Sequence, residues 1–199
     1  TIHGAVQQLA GSYTALALIP TGTGDDNART LGIPPGDMDA AARCAAEGEA
    51  RTIDLGHLSC AEGDRYFLGV MSTGFDSLVN ERANLMTWPS GKARYVVAIL
   101  RELRTFRAVP YVADIDGRHI ESRAMLVAVG NGVSYGGGMR VCPTADPADG
   151  ELDITWLGGV PTSTFLRVFP SVFSGRHVDS PHVATGRCRS ITLSAPGQL

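Results

Sequence analysis

LIPTGTGDDNARTLGIP (residues 18–34) decides how the first part of the chain is organised. Residues 15–20 form a short apolar segment closed by Pro20, which predicts a strand. The Gly-rich turn TGTGDD follows, and DNARTLG then predicts a helix that opens on carboxylates and stops at Gly32. A strand, a glycine turn and a helix N-terminus together aim backbone N–H groups at one point, which suits a phosphate.

Two interpretations of this glycine turn remain open. It has neither the G-K-[ST] of a P-loop nor the G-x-G-x-x-G of a dinucleotide fingerprint, so a purely structural turn is one of them. The negative charges of Asp25 and Asp26 would repel an anion bound directly at this turn. They fit an anion site only if a divalent cation or a hydrogen-bonding network lies between these carboxylates and the phosphates.

The flanking segments predict an α/β domain followed by a strand-rich domain. Residues 2–10 predict a helix with Thr1 as its N-cap, and residues 37–50 predict an Ala-rich helix that starts with acids. This alternation of helix and strand is typical of the end of an α/β domain, whereas the succession of strands from Arg51 onward favours a β-sandwich or barrel. Strands are expected in residues 51–60, 65–74, 124–132, 152–157 and 188–194, and a hairpin with its turn at Asp116-Gly117 is expected in residues 111–123. Helices are expected in residues 92–107 and, interrupted by Pro170, in residues 162–173.

Composition excludes several classes of protein. The 199 residues are 44% hydrophobic and 19% charged, which excludes a disordered or collagen-like chain. No apolar run reaches the ~18–20 residues that a transmembrane helix needs. The formal net charge of −3 gives no general electrostatic reason to bind nucleic acid. Neither the histidines nor the cysteines have zinc-site spacing, so we expect free thiols in a reducing cytosol. The cysteines are Cys44, Cys60, Cys142 and Cys188.

A second candidate site is the long connection GNGVSYGGGMRVCPTADPADGELD, residues 130–153. Connections of this length inside a compact domain are usually functional or disordered. Four acids within it offer the hard oxygen ligands that Mg²⁺ and Ca²⁺ prefer, although their spacing does not match an EF-hand loop. A network of local Asx turns is the structural alternative. The acids are Asp146, Asp149, Glu151 and Asp153.

A third candidate is the basic face of the helix predicted over residues 92–107. Five basic residues on it accompany a single acid, Glu102. The face is either a solvated surface or a contact with anionic lipid headgroups, each basic residue near a membrane adding about 1 kcal/mol. The basic residues are Lys92, Arg94, Arg101, Arg104 and Arg107.

Taken in order, four segments resemble the diacylglycerol kinase catalytic domain family, the bacterial lipid kinases related to sphingosine and ceramide kinases. Residues 18–34 resemble the family's IPxGTxNDFARxLGIP, and RTIDLGHL (51–58) resembles xxIDLGxV. YFLGVMSTGFDSLV (66–79) is similar to FxNxxxxGFDAxV, and residues 130–153 are similar to GNGxxYGGGMxxxPxAxxDDGxLD. The order and spacing of these segments also fit, and the resemblance covers nearly the whole chain.

The resemblance implies a fold and a reaction. The fold is the end of an α/β nucleotide-binding domain related to NAD kinases (residues 1–52), followed by a β-sandwich domain (residues 53–199), with the active site in the cleft between them. The reaction is transfer of the γ-phosphoryl group of ATP, with Mg²⁺, to the hydroxyl of diacylglycerol or a similar lipid. The resemblance also implies a cytoplasmic enzyme that meets its substrate peripherally at the membrane surface, and it is compatible with a homodimer.

The resemblance assigns roles residue by residue. Asp26 and Asp54 are the catalytic candidates, expected to join a water network around the catalytic Mg²⁺. A DGE motif, whose aspartate is the family's general base, is expected beyond Leu199, so we expect no turnover from these residues alone. Thr1 matches the end of a GGDGT phosphate loop, and Gly22, Thr23 and Gly24 match a second phosphate-binding turn. Asp149 matches the ligand of a second, structural Mg²⁺, with carbonyls near Asp146 and Glu151 as co-ligands.

Three departures from the family pattern and three rival functions qualify this assignment. Asp25 replaces the usual Asn, Asn27 the usual Phe, and Gly69 stands where the family often has Asn. The rivals are an NAD kinase, a non-catalytic lipid- or membrane-binding module of the same fold, and a metal-binding structural domain centred on residues 146–153. Retention of Asp26 and Asp54 favours the kinase over a module without activity.

Overall fold

The computed structural model divides the chain into two compact units. The first comprises Thr1–Met71, Val129–Asp153 and Val172–Gly175, and the second comprises Ser72–Ala128, Ile154–Ser171 and Arg176–Leu199. The structure describes residues 2–22, 24–34, 36–88, 92–103 and 106–195. Within these residues no helix is both long and apolar enough to cross a membrane. All four cysteines are free thiols, as the sequence predicts.

The first unit begins with three helices, α1 (Ile2–Leu9), α2 (Asp26–Thr30) and α3 (Met38–Glu47), which confirms the helices expected there. The Asp37 side chain caps α3 by accepting a hydrogen bond from the Ala40 N–H (2.8 Å), as an N-cap aspartate should. The strand expected over residues 15–20 was wrong. That segment has no regular secondary structure and is mostly exposed, and it pairs with no strand of the described chain, so its apolar character alone does not make it a strand.

The same unit contains a β-hairpin of β1 (Gly56–Cys60) and β2 (Gly63–Phe67), paired antiparallel from Gly56–Phe67 to Cys60–Gly63. Glycine is required at position 56, because a Cβ there would lie 2.1 Å from the Phe67 ring. The strand expected over residues 65–74 is instead two strands, since β3 begins only at Val70 (Val70–Gly74). Between them the Gly69 carbonyl accepts two N–H groups, from Asn131 and Gly132, both at 2.9 Å.

A sheet of six strands, which lies mainly in the second unit, has the order β7-β6-β5-β4-β8, with β3 paired to β5. Its strands are β4 (Val109–Ile115), β5 (Arg118–Gly130), β6 (Leu152–Gly158), β7 (Val183–Cys188) and β8 (Ile191–Ser194). β4 and β5 form the expected hairpin, and its turn residues Asp116 and Gly117 both have positive φ (48° and 82°). The single strand expected over residues 188–194 is broken, because the Arg189 and Ser190 N–H groups donate to the Asp116 carboxylate.

Helices α4 (Phe75–Leu85) and α5 (Lys92–Leu103) pack on each other in the second unit. α4 was not predicted, and the helix predicted over residues 92–107 is described as far as Leu103. Arg82 of α4 donates to the carboxylate of the buried Glu102 of α5. The chain then forms α6 (Thr162–Val168), which gives way to 3-10 turns at Phe169, just before Pro170. The helices contribute to one apolar core made of Phe75, Val79, Ala83, Ala98, Leu103, Met125, Leu157 and Phe165.

Candidate active site

Asp26, the first residue of α2, accepts from four donors of the first unit. Its Oδ1 accepts from Ser134 Oγ (3.0 Å) and from the Gly138 N–H (2.8 Å), and its Oδ2 accepts from the Gly137 N–H (2.7 Å). Arg29 Nη1 lies 3.3 Å from the same Oδ1. Three of these donors share Oδ1 and one reaches Oδ2, so the carboxylate is held by four groups and Oδ2 keeps one acceptor position. Asp26 therefore clamps the glycine-rich segment of residues 134–138 to the start of α2.

The glycines of this segment are required by backbone geometry. Gly137 and Gly138 have φ values of 86° and 105°, a region that other residues rarely adopt. In this conformation two successive N–H groups converge on one point and form a nest for an anion. The anion in the nest is the carboxylate of Asp26.

Asp54 holds the second candidate loop. Its Oδ2 accepts from the Gly150 N–H (2.7 Å), and its own N–H donates to the Pro147 carbonyl (2.6 Å). The Asp54 carbonyl in turn accepts from the side-chain amide of Asn131 (3.0 Å), which is almost fully buried and also donates to the Leu68 carbonyl (3.2 Å). Within the described chain the second carboxylate oxygen of Asp54 has no hydrogen-bond donor, so this oxygen can take a further ligand.

Asp26 also lines a cavity of about 370 Å³ that lies entirely within the first unit. This volume falls in the range of small-molecule sites, ~300–1,000 Å³. Two residues on the wall, His3 and Arg65, can carry positive charge, and Tyr66 and Tyr135 contribute aromatic rings. The remaining lining residues are Ile2, Val6, Asn27, Leu58, Phe67, Leu68, Gly69, Val70, Met71, Ser134 and Gly136.

Two of the three departures from the family pattern meet on the wall of this cavity. Asn27 and Gly69 both line it, and a Cβ built on Gly69 would lie 3.3 Å from Asn27 Oδ1. The amide of Asn27 thus occupies the space next to Gly69. A polar side chain reaches this part of the cavity from α2 rather than from position 69.

The loop expected to hold a structural Mg²⁺ has the right atoms but no cluster of acids. Asp146 Oδ1 accepts from the Ala148 N–H and Asp149 Oδ1 from the Glu151 N–H, each at 3.0 Å, so both form local Asx turns. In the described part of the chain no three His, Cys, Asp or Glu side chains are grouped to hold a metal ion. The donor chemistry therefore fits only a site completed by carbonyls or water, and the assignment of Asp149, Asp146 and Glu151 stays a prediction.

The phosphate-binding turn is only partly described. Gly22 is exposed and Gly24 is half-buried, and the Gly24 carbonyl accepts from the Arg29 guanidinium. Thr1 and Thr23, which were assigned to the two phosphate loops, lie outside the described residues.

Three residues of the site were not predicted, because polar residues inside recognised motifs give no sign of which distant group they contact. They are Arg29, Asn131 and Ser134.

Comparison with known proteins agrees with the resemblance. Residues 69–199 match the YegS C-terminal NAD kinase beta sandwich-like domain, and residues 1–58 match the diacylglycerol kinase catalytic domain. A diacylglycerol kinase of Mycobacterium tuberculosis is 43% identical over 198 residues, which cover 98% of this chain and 64% of the relative. A diacylglycerol kinase of Bacillus subtilis is 28% identical over 202 residues, which cover 100% of this chain and 65% of the relative.

Solved structures give the same result. The crystal structure of a diacylglycerol kinase from Bacillus anthracis Sterne matches with a TM-score of 0.69 and 26% identity, over 98% of this chain and 63% of that one. The chain thus spans somewhat less than two thirds of the length of these relatives. The expected fold class, an α/β part followed by a β-sandwich, is confirmed. Because the β-sandwich-like domain alone accounts for residues 69–199 and the kinase domain precedes it in the family's order, the chain belongs to the diacylglycerol kinase family of lipid kinases.

Proposed function

We propose that this chain is part of an ATP-dependent kinase that transfers the γ-phosphoryl group to the hydroxyl of diacylglycerol or a similar lipid alcohol. The observation that carries the proposal is the clamp of four donors on Asp26, beside a cavity of about 370 Å³. Phosphoryl transfer depends on positioning and charge neutralisation more than on covalent chemistry by the protein. A cavity wall that the Asp26 carboxylate holds in place supplies that positioning.

The charges and rings of the cavity support a nucleotide as its ligand. Arg65 supplies a fixed positive charge, which binds phosphate oxygens well, and His3 supplies a second nitrogen donor. The ring of Tyr66 or Tyr135 offers a surface for a purine base. The backbone N–H groups of Gly22 and Gly24, with those of Thr1 and Thr23, are our proposed further contacts to the phosphates.

Two aspartates serve different purposes in this proposal. Bound with ATP, Mg²⁺ would supply charge neutralisation at the transferring group. Asp54 is half-buried and has one carboxylate oxygen left over, so it suits contact with the hydration water of that ion. Asp26 was expected to share this role. Because four donors hold its carboxylate, Asp26 also acts as a positioning residue for the segment of residues 134–138.

A kinase assay tests the proposal. The whole kinase to which residues 1–199 are proposed to belong is purified and incubated with radiolabelled ATP, Mg²⁺ and diacylglycerol vesicles, and labelled lipid is separated by thin-layer chromatography. Asp54→Asn is expected to abolish labelling, whereas the exposed Asp64→Asn is a matched control and keeps it. Equal labelling of lipid by wild type and Asp54→Asn contradicts the proposal, and so does release of the label only as inorganic phosphate, which would mean transfer to water.

Nucleotide binding separates the kinase from a non-catalytic membrane-binding module. In a calorimetric titration the kinase is expected to bind MgATP, and Arg65→Ala is expected to weaken that binding. We further propose that residues 1–199 by themselves bind MgATP without turnover, because the aspartate assigned as general base is not among them. Normal rates from these residues alone would show that another group takes the lipid proton.

A further inference from the structure

The surface around the end of α4 exposes large apolar side chains without a partner in the described chain. Leu85 is 78% exposed and Trp88, just beyond the helix, is 81% exposed. Leu78, two turns before Leu85 on the same helix face, is 41% exposed. Proteins in water expose few such residues unless they serve an interaction. We call Leu78, Leu85 and Trp88 the apolar ridge.

Positive charge accompanies the apolar ridge. Residues 75–107 carry six Lys or Arg and only three Asp or Glu, in a chain whose net charge is −3. After Glu81 the only acid in this stretch is Glu102, and it forms an ion pair with Arg82. The acid that remains close to the ridge is Glu81, one helical turn before Leu85.

The Arg82–Glu102 pair places this charge at the ridge. Arg82 lies one turn before Leu85 on α4, so the two side chains share a face. The ion pair brings the last turn of α5, where the exposed Arg101 precedes Glu102, beside the last turn of α4. The side chain of Arg82 is itself 45% exposed, so it meets solvent as well as Glu102. Exposed cations thus flank the exposed apolar side chains.

We propose that the apolar ridge is where this protein docks on an anionic lipid bilayer, with Trp88 and Leu85 inserted among the headgroups. Tryptophan prefers the interface of a bilayer, because its ring is apolar and its N–H still reaches water. Basic residues beside it are attracted by anionic lipids, and the attraction weakens with salt. The inference deepens the proposed function, since a lipid kinase reaches its substrate at a bilayer.

Vesicle sedimentation without nucleotide tests the docking surface. Wild type is expected to sediment with vesicles of equimolar phosphatidylcholine and phosphatidylglycerol, and less with phosphatidylcholine alone or at high salt. Trp88→Ser is expected to lower the partition coefficient about tenfold, the value of burying one large apolar side chain. Tyr13→Ser, which removes an even more exposed aromatic side chain 75 residues earlier in the sequence, is the matched control and leaves partitioning unchanged.

Fluorescence gives a second readout. The fluorescence of Trp88 is obtained as the difference in emission between wild type and Trp88→Phe. Vesicles that contain brominated lipids are expected to quench this Trp88 fluorescence. Equal sedimentation of wild type and Trp88→Ser, equal binding to neutral and anionic vesicles, or self-association that Trp88→Ser abolishes would each overturn the proposal. Because no nucleotide is present, a kinase assay that fails on every lipid would contradict the proposed function and leave the docking result to be judged separately.

Discussion

Substitution of Asp26 by asparagine tests whether its carboxylate holds the segment of residues 134–138. Asparagine has the same shape, but one of its two terminal atoms is a donor. In the better orientation its oxygen keeps the place of Oδ1, which faces Ser134, Gly138 and Arg29. Its NH₂ group then faces the Gly137 N–H, where Oδ2 accepted at 2.7 Å.

The loss can be estimated from these contacts. One charge-assisted hydrogen bond becomes a contact between two donors, and such a bond contributes about 1.5–3 kcal/mol. The remaining bonds also lose the benefit of a full charge. The Asp26 side chain is only 16% exposed, so water compensates little. We expect Asp26→Asn to lower the free energy of unfolding by about 3 kcal/mol. Ser134→Ala, which removes one neutral donor, should cost about 1 kcal/mol.

Urea denaturation followed by circular dichroism measures the loss, and hydrogen exchange of the Gly137 and Gly138 N–H groups locates it. Asp25→Asn is the matched control. It removes the same charge one residue earlier, at a left-handed position (φ 52°) that asparagine tolerates, and the Asp25 side chain makes no cap hydrogen bond. The reasoning fails if Asp26→Asn and Asp25→Asn destabilise equally, or if exchange at the two glycines does not change.

Two further predictions concern the second unit. Gly74→Ala should lower the free energy of unfolding by more than about 3 kcal/mol, because φ is 95° there and the new Cβ would lie 2.6 Å from the Met125 carbonyl oxygen. Gly117→Ala, at φ 82° with open space around the new Cβ, should cost only about 1–2 kcal/mol in the same urea denaturation assay. Equal losses for the two variants would contradict the steric argument. Burial raises the pKa of the Tyr111 phenol, so its contribution to stability is complete below the ordinary pKa of about 10 and is lost as pH rises further. In thermal melts the melting temperature of Tyr111→Phe should therefore fall less above this pH than that of wild type. Identical pH profiles of the two proteins would contradict the raised pKa.

Some of the fold was predictable because its signals are local. The helices at residues 2–10 and 37–50 have caps and stripes within a few residues, and Asp116-Gly117 specifies its own hairpin. The missed helix α4 also has a signal in retrospect. Phe75 and Val79, four residues apart, lie on its buried face. The signal is weak because polar residues surround them and because a strand runs into the helix without a loop.

Other features depend on partners far along the chain. The apolar segment of residues 15–20 is not a strand, since a strand exists only where a neighbour supplies its hydrogen bonds. The break at Gly69 follows from two N–H groups that arrive from Asn131 and Gly132, more than 60 residues later. Neither partner could be read from the local sequence.

The acidic glycine turn shows how structure resolves an ambiguity of sequence. Asp25 and Asp26 next to a glycine turn opposed an anion site unless a network intervened, and the network exists. The Gly137 and Gly138 N–H groups, whose nest would bind a phosphate, are occupied by the Asp26 carboxylate. These amides are therefore not available to a ligand, and the nest serves to fix one wall of the cavity. The phosphate contacts proposed for the Gly22 and Gly24 amides lie in the turn that precedes α2, which is where a test for them should begin.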